Sequence, residues 1–359
     1  MRRIWRAALD GVTPYEAGKP LEALAAELGV AELVRLSANE HPLGPSPRVV
    51  EAIRREAAHV HLYPDGGSTA LREALGRTLG LSPAQIVVGN GADELITLIA
   101  LAAFDPGDEV VMPHPSFEPY ATGVTIAGAR MVQSPLAGYH TDLDDMRRRV
   151  TARTKAVFLC SPHNPAATII PRRALLGFLD ALGNDPPLIV LDEAYHDFVD
   201  DPEYPDGVAL LGRYPRLLVL RTFSKVAGLA GLRVGYACGS REIIDRLNRV
   251  RAPYNVNLLG QVAALAALGD PEHAARTRQL VLDERRFVMA GLAERGLTCS
   301  PSQANFLLVR VGDTARVRER LARGGVLVRD GGAVGFPGHL RISLGTREVN
   351  ERVLKLLEE

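Results

Sequence analysis

The sequence predicts an α/β fold with a mostly parallel central sheet and a smaller α/β domain at its C-terminal end. From residue 86 onwards, short apolar runs typical of buried strands alternate with longer helical patterns. Strands that alternate with helices favour a parallel sheet covered by helices on both faces. Glycines and polar residues directly follow the apolar runs. Because sites in such sheets form at the carboxyl ends of the strands, we expect the functional site at that edge.

Three segments are predicted along the chain: an N-terminal arm over residues 1–30, a large domain over 31–255 and a small domain over 256–359. The arm contains a turn at Thr13-Pro14-Tyr15 and ends in a short helix over 21–28. The small domain is expected from a strand-helix-strand-strand-helix pattern that begins after a long helical stretch.

The large domain is predicted to begin with a strand that runs into a proline-ended loop at Asn39. A helix over 48–58 follows, and the next helix begins at Ser68 or Thr69, where Glu73 is expected to complete a capping box. The apolar runs then predict strands at 86–88, 109–112, 130–133, 156–160, 188–191, 217–220 and 234–237.

Length and composition are those of an ordinary globular protein. The chain has 359 residues, of which 47% are apolar and 23% charged, with a formal net charge of zero. Nothing in this balance indicates a nucleic-acid or anionic-membrane surface. Cys160, Cys238 and Cys299 are widely spaced, which favours reduced thiols, and the longest apolar run, 95–104, is too short to span a bilayer. We therefore expect a soluble cytoplasmic protein.

One lysine is placed differently from the others. The chain contains only four, Lys19, Lys155, Lys225 and Lys355, and Lys225 alone stands in a glycine-rich, partly apolar loop. A lysine nucleophile must lose its proton, and its reference pKa of ~10.4 lies ~3 units above neutral. Burial and a cation such as Arg233 would lower that pKa. The pattern suits a lysine that forms an imine while its neighbours hold a phosphate, although a surface lysine in a loop is the alternative.

Other polar residues also follow strands. Gly89-x-Gly91 opens a helix whose free N–H groups can bind an anion, but the third glycine of a dinucleotide fingerprint is absent, and taken alone the pattern favours a tight strand-to-helix turn. Asp192 ends a buried strand, where a carboxylate needs a partner, either a ligand or a structural one. Asn164-Pro165 alone is an ordinary turn signal. His59-x-His61 lacks a third ligand at metal spacing, so no metal is expected.

Taken in order, these motifs resemble the fold type I pyridoxal-phosphate enzymes, the aspartate aminotransferase superfamily, over nearly the whole chain. Within it, the sequence is most similar to the histidinol-phosphate aminotransferase family. The segments that carry this resemblance are Thr13-Pro-Tyr15, Ala38-Asn-Glu40, Tyr63-Pro64, Gly91-Ala-Asp-Glu94, Asp192-Glu-Ala-Tyr195, Arg221-Thr-Phe-Ser-Lys225, Pro253-Tyr-Asn-Val-Asn257, Leu327-Val-Arg-Asp330 and Leu340-Arg-Ile-Ser343.

The resemblance implies a role for each matching residue. Lys225 would hold pyridoxal 5'-phosphate as an imine and move a proton between substrate and coenzyme, and Asp192 would pair with the protonated ring nitrogen. Tyr63 would reach the coenzyme phosphate from a neighbouring subunit, which implies a homodimer. The other coenzyme contacts implied are Asn164 and Tyr195 on the ring oxygen, Phe117 on the ring face, and Ala92, Asp93, Ser224 and Arg233 on the phosphate. The substrate contacts implied are Arg341 on the anionic end, with Tyr15, Asn39 and Arg329 around it.

The chain departs from the family pattern at three places. Ala166-Ala167 follows Asn164-Pro165 where the family commonly has Thr-Gly. Because a residue other than glycine is restricted at positive φ, we expect that loop to turn differently. Phe117 stands for a usual tyrosine and Ala227 for a usual phenylalanine, which bears on the fit of the substrate rather than on the chemistry.

The resemblance thus implies an aminotransferase that acts on L-histidinol phosphate and 2-oxoglutarate in histidine biosynthesis. An aromatic amino-acid aminotransferase and a threonine-phosphate decarboxylase are alternatives on the same scaffold. A coenzyme-sensing regulator would need a DNA-binding module, for which the stretch before the first shared motif leaves no room. A plain NAD-binding protein is disfavoured by the missing glycine after Ala92-Asp93.

Overall fold

The computed structural model describes residues 4–12, 14 and 19–358. Strands and helices alternate through most of this part of the chain. The strands are β1 (Val34–Arg35), β2 (Ile86–Gly89), β3 (Glu109–His114), β4 (Arg130–Pro135), β5 (Thr154–Cys160), β6 (Leu188–Asp192), β7 (Leu217–Thr222), β8 (Gly235–Gly239), β9 (Thr298–Cys299), β10 (Phe306–Arg310), β11 (Val326–Leu327), β12 (Arg329–Asp330) and β13 (His339–Ser343). The helices are α1 (Leu21–Leu28), α2 (Pro47–Glu56), α3 (Thr69–Leu79), α4 (Gly91–Ala103), α5 (Glu118–Ala127), α6 (Leu143–Arg149), α7 (Arg172–Ala181), α8 (Gly207–Leu210), α9 (Arg241–Val250), α10 (Leu258–Leu268), α11 (Pro271–Glu294), α12 (Thr314–Arg323) and α13 (Arg347–Glu358).

The central sheet has seven strands in the order β2-β8-β7-β6-β5-β3-β4. The pairs from β7 to β4 are parallel, whereas β8 runs antiparallel to both of its neighbours. β7 is buried along its whole length, as the continuous apolar run of an inner parallel strand predicts. The expected mostly parallel sheet is confirmed.

Helices cover both faces of this sheet. Side chains alternate along each strand, so Val157, Leu159 and Leu191 lie on one face while Phe158 and Val190 lie on the other. The first face packs against α2, α3, α7 and α10, and the second packs against α4, α5 and α9. With both faces covered, only the ends of the strands remain open to a ligand.

The C-terminal lobe is built on a second sheet, with strand order β12-β13-β10-β9 and antiparallel pairing. Apolar residues of α11, α12 and α13 pack against it. β1 pairs in parallel with β11, and Ser343 N–H donates to the Leu36 carbonyl at 2.8 Å. The segment before Asn39 is therefore attached to the C-terminal lobe.

The predicted boundary between residues 255 and 256 differs from the packing. Helix α10 contacts α2 and α3, and its Ala263 and Ala264 belong to the core of the central sheet. Val281 and Val288 of α11 instead pack in the core of the C-terminal lobe. The packing therefore changes between α10 and α11. The division into domains itself stays a prediction.

The start of α3 is capped differently from the prediction. Ser68 is the N-cap residue, but its side chain makes no capping hydrogen bond within the described residues. Asp65 accepts instead, from Gly67 N–H at 2.8 Å and from Thr69 N–H at 2.6 Å. The carboxylate at the helix start replaces the expected capping box.

None of the helices in the described ranges has both the length and the hydropathy of a membrane span.

Candidate active site

The carboxyl ends of three neighbouring strands carry the central residues of the candidate site. Asn164 follows β5, Asp192 ends β6, and Ser224 and Lys225 follow β7. These strands are adjacent and parallel, so their ends lie at one edge of the sheet. The C-terminal lobe adds Arg341 from β13. Tyr15, which the resemblance places in the substrate pocket, lies outside the described residues.

The Lys225 amine lies between the two lobes. Its Nζ donates to the main-chain carbonyls of Asn39 at 3.1 Å and Ala38 at 3.3 Å. It also lies 5.4 Å from the centroid of the Tyr195 ring. Burial first, and then the positive charge of Arg341, lower the pKa of Lys225 from its ordinary value of 10.5 to about 8. A substantial fraction of this amine is therefore neutral in mildly alkaline solution, as a nucleophile requires.

Asn39 and Tyr195 form a buried pair beside this amine. Asn39 Nδ2 donates to the Tyr195 hydroxyl at 3.0 Å, and both residues are almost fully buried. Burial raises the pKa of Tyr195 to about 12, so the phenol stays protonated. Since Tyr195 accepts from Asn39, its own O–H remains available to donate to a ligand.

Asp192 lies at the bottom of the site and is 3% exposed. It accepts from Tyr120 O–H at 2.6 Å and from Ala194 N–H at 3.0 Å. Burial raises the pKa of Asp192 from 3.8 to about 6, although the bond from Tyr120 acts in the opposite direction. A buried carboxylate with lone pairs left over suits a protonated nitrogen as its partner.

Replacing Asp192 with asparagine should change how stability depends on pH in the coenzyme-free protein. Its folded-state pKa lies above the unfolded value, so its favourable contribution is complete below pH 3.8 and is lost as pH rises through about 6. Two pKa units correspond to about 3 kcal/mol. Relative to the parent, Asp192→Asn should therefore gain about 2–3 kcal/mol between pH 4 and pH 7.5, measured by urea unfolding.

The control for this experiment is Asp185→Asn, since the Asp185 side chain is 87% exposed and lies in a surface ion pair with Arg216. Its stability difference from the parent should stay constant with pH. If Asp192→Asn also kept a constant difference, the carboxylate would not be ionising against burial.

A candidate anion site lies where β2 passes into α4. Gly91 begins the helix at φ +82°, and a Cβ there would lie 2.6 Å from Arg233 Nη2. A Cβ on Gly235 would lie 2.6 Å from Ala92 N. Arg233 pairs with Asp93 at 2.8 Å. Free helix N–H groups, an arginine and glycines that leave room for backbone are the features of a phosphate site.

Ser224 follows β7 and is held by a neighbouring hydroxyl. Its N–H donates to Thr222 Oγ1 at 3.1 Å, and the Thr222 hydroxyl donates to Ser224 Oγ at 3.0 Å. Ser224 is 5% exposed, so the hydroxyl is fixed next to Lys225 by a short turn.

Arg341 connects the C-terminal lobe to the strand ends. Its Nη1 donates to Asn164 Oδ1 and its Nη2 to the Ser37 carbonyl, both at 2.7 Å, while Nε has no hydrogen-bond partner among the described residues. Arg329 lies directly across the strand pair from Arg341 and approaches Glu118 at 3.7 Å. Two cations therefore face the site from this lobe.

Two of the three aromatic residues in the implied coenzyme site, Phe117 and Tyr63, each contact another aromatic ring of this chain. Phe117 precedes α5 and meets the Tyr120 ring edge-on, with centroids 5.5 Å apart. The Tyr63 side chain is 82% exposed and stacks on Tyr254, with centroids 4.7 Å apart. Among the described residues, Tyr63 thus points away from the core of its own chain.

The loop after Asn164 does not avoid the left-handed conformation. Ala167 has φ +62° although it is not glycine, so the absence of glycine does not prevent a positive φ in this loop. Its N–H donates to the His163 carbonyl at 2.6 Å, its carbonyl accepts from Gln303 N–H at 2.8 Å, and its side chain is fully buried. These contacts compensate the steric cost of the conformation.

Three residues of the site were missed by sequence reasoning: Tyr120, Ser343 and Asn305. Tyr120 binds Asp192, while Ser343 and Asn305 contact Asn39. Tyr120 stands three positions after Phe117, on the first turn of a helix that follows a strand, and this spacing is the only signal in the sequence.

The sheet order and the lysine after β7 define the class of protein: the chain has the fold of the type I pyridoxal-phosphate-dependent transferases. The family described as aminotransferase class I and II matches residues 31–357, and the chain belongs to it.

Relatives of known name extend over the whole chain. The histidinol-phosphate aminotransferase of Anaeromyxobacter sp. (strain Fw109-5) is 45% identical over 349 residues, which cover 96% of each protein. That of Moorella thermoacetica (strain ATCC 39073 / JCM 9320) is 42% identical and covers 99% of this chain and 92% of its own. The crystal structure of histidinol-phosphate aminotransferase from Sinorhizobium meliloti in complex with pyridoxal-5'-phosphate has a TM-score of 0.90 at 29% identity, over 100% of this chain and 97% of that one.

Proposed function

We propose that this aminotransferase transfers the amino group of L-histidinol phosphate to 2-oxoglutarate, with pyridoxal 5'-phosphate bound at Lys225. The names of the full-length relatives support the first substrate. The observation that carries the proposal is the Lys225 amine, whose pKa is lowered to about 8 at the end of β7. All four lysines lie within the described residues, and Lys225 is the one that directly follows a strand whose parallel neighbour ends in Asp192.

The residues present fit the coenzyme. The Gly91 and Gly235 cradle, with Arg233, matches a phosphate, and buried Asp192 matches a protonated ring nitrogen. When bound, the coenzyme supplies an electron sink for charge that develops on the substrate carbon. Lys225 would bind it covalently and carry the proton, and Asp192 would hold the negative charge opposite the ring nitrogen. Other contacts proposed are Asn164 and Tyr195 to the ring oxygen, Phe117 to the ring face, and Ala92, Asp93 and Ser224 to the phosphate.

The C-terminal lobe would hold the anionic end of either substrate. The guanidinium of Arg341 matches a phosphate and a carboxylate equally well, because its planar fork pairs with two oxygens of either group. This tolerance suits an enzyme that takes a phosphate ester and then a dicarboxylate into one site. Arg329, Asn39 and Tyr15 are proposed to complete the pocket.

Replacing Arg341 with alanine should raise KM for both substrates. A charge-assisted hydrogen bond contributes ~1.5–3 kcal/mol, which corresponds to about 10–100-fold in KM. Steady-state kinetics with each substrate varied in turn measures the effect. Arg323→Ala is the matched control, since Arg323 belongs to the same lobe and its side chain is 72% exposed. A raised KM for one substrate alone would show that the two anions bind at separate places.

The proposed substrates are tested with purified protein, added coenzyme and a panel of donors. We expect imidazole acetol phosphate, a ketone, and glutamate to form from histidinol phosphate and 2-oxoglutarate, with kcat/KM well above that for phenylalanine or tyrosine. Faster turnover of the aromatic donors would assign an aromatic aminotransferase. Release of carbon dioxide from threonine phosphate would assign a decarboxylase.

We also propose a cytoplasmic homodimer in which Tyr63 of the partner subunit reaches the coenzyme phosphate. The exposure of Tyr63, together with that of Val60 at 61% and Leu62 at 58%, supports such an interface. Cys160, Cys238 and Cys299 are free, which is usual for a reducing compartment. Sedimentation equilibrium giving the mass of a single chain would contradict the dimer.

A further inference from the structure

Asn39 is held by two residues of the C-terminal lobe to which the sequence analysis gave no role, Ser343 and Asn305. Ser343 Oγ accepts from Asn39 N–H at 2.9 Å and donates to Asn39 Oδ1 at 3.0 Å. Asn305 Nδ2 donates to the Asn39 carbonyl at 3.2 Å. Ser343 is 2% exposed and Asn305 is fully buried. The two lie next to each other, because Ser343 pairs with Phe306 across neighbouring strands.

The contacts hold Asn39 in one conformation. Its φ is +54°, in the left-handed region, which asparagine adopts more readily than most residues other than glycine. Ser343 binds both the main-chain N–H and the side-chain oxygen of Asn39, so it fixes backbone and side chain together. In this conformation the remaining groups of Asn39 point to the reacting end of the site: Nδ2 to Tyr195 at 3.0 Å and the carbonyl to Lys225 at 3.1 Å.

Asn39 connects the two lobes. Asn39 follows β1, which pairs with β11, and Ser343 N–H also binds the Leu36 carbonyl. Tyr195 and Lys225 follow β6 and β7 of the central sheet. Asn39 is thus attached to the C-terminal lobe, while its side-chain amide and its carbonyl bind residues that follow strands of the central sheet.

We propose that Ser343, supported by Asn305, is a positioning residue. It holds Asn39 so that the position of the C-terminal lobe fixes the two hydrogen bonds of Asn39, one with Lys225 and one with Tyr195. The importance of Ser343 for catalysis rests on the proposed role of Lys225. The contact itself does not depend on the coenzyme.

A change at Ser343 should alter the pKa of Lys225, in a direction that follows from the groups around this amine. Arg341 and Arg233 favour its neutral form, whereas Glu40 and Asp93 favour its charged form. The carbonyls of Ala38 and Asn39 accept more strongly from an ammonium group than from an amine. Loosening Asn39 weakens this acceptance, so the pKa of Lys225 falls further while the surrounding charges stay the same.

Competitive trace acetylation with acetic anhydride, read peptide by peptide in a mass spectrometer across a pH range, measures this pKa on the full chain without coenzyme. The other three lysines serve as internal references. We expect Ser343→Ala to lower the pKa of Lys225 by about half a unit or more and Ser343→Thr, which keeps the hydroxyl, to restore it. Ser343→Cys keeps the volume with a weak donor and should shift the pKa in the same direction if the alanine variant does not fold.

The matched control is Ser302→Ala. Ser302 is a buried serine of the same lobe whose hydroxyl donates to the Phe306 carbonyl at 2.6 Å, so its loss costs similar stability without touching Asn39. An unchanged Lys225 titration in Ser343→Ala or Ser343→Cys, or an equal shift in Ser302→Ala, would overturn the proposal. Because no coenzyme is present, this outcome is separate from any failure of the amino-transfer assay.

Discussion

Replacing Lys225 with alanine should reduce amino transfer by at least ~10²–10⁴-fold, the usual contribution of a positioned acid–base group, and should abolish covalent attachment of pyridoxal phosphate. The reason is that Lys225 is the amine whose burial lowers its pKa to about 8. Borohydride reduction of the holoenzyme followed by peptide mapping locates the attached pyridoxyl group. Single-turnover kinetics gives the rate.

Lys155→Ala is the matched control for that experiment. Lys155 is one of the other three lysines and lies at the start of β5, at the opposite end from Asn164. Its side chain is 51% exposed, and its amine lies 3.9 Å from Asp108. This variant should retain both the rate and the attachment. A pyridoxyl group found on any residue other than 225, or full activity in Lys225→Ala, would refute the proposed function.

Replacing Glu193 with glutamine should cost about 3–5 kcal/mol of folding stability, because it leaves a buried guanidinium without its buried counter-ion. Arg221 donates to Glu193 Oε2 through Nε at 2.9 Å and Nη2 at 2.7 Å, and Gly207 N–H donates to Oε1 at 2.9 Å. Glu193 is fully buried and Arg221 is 5% exposed. The pair ties the ends of β6 and β7 together, directly beside Asp192 and Lys225. Urea unfolding measures the loss.

Asp206→Asn provides the comparison, because Asp206 is the more exposed of the two carboxylates that pair with Arg221. Asp206 also pairs with Arg221, at 2.6 Å, but its side chain is 59% exposed, so we expect a loss of ~1 kcal/mol or less. Asparagine also preserves the cap that Asp206 gives to Val208 N–H. Equal losses in Glu193→Gln and Asp206→Asn would show that burial does not strengthen the pair. The double variant Glu193→Gln, Arg221→Gln should lose less than the sum of its single variants.

The inner strands of the central sheet were predictable because they are buried on both faces and appear as continuous apolar runs, unlike the exposed edge strand β4. The runs at 188–191 and 217–220 became β6 and β7 within one or two residues of their predicted ends. The residues that follow these strands were predicted to lie together for the same reason, since parallel neighbours end at one edge. Their roles toward the coenzyme stay a prediction.

The contacts of the C-terminal lobe were not predictable in the same way. Ser343 and Asn305 look like ordinary strand-end residues, and their effect on Asn39 comes from pairings between distant parts of the chain. The boundary at 256 stays a prediction, because a helix rich in alanine such as α10 carries no signal in the sequence of which sheet it covers. Ala167 could not be predicted from the preference of glycine for positive φ, since hydrogen bonds to distant and neighbouring residues hold an alanine in that conformation.

The pairing of β1 with β11 also sets an order of assembly. Asn39 and Ser343 are 304 positions apart, so a ribosome must release almost the entire polypeptide before the loop beside Lys225 acquires its anchor. Contacts of such long range form late, since closing the intervening chain costs entropy first. A nascent or shortened chain that already contains the whole central sheet would therefore still lack a finished catalytic pocket.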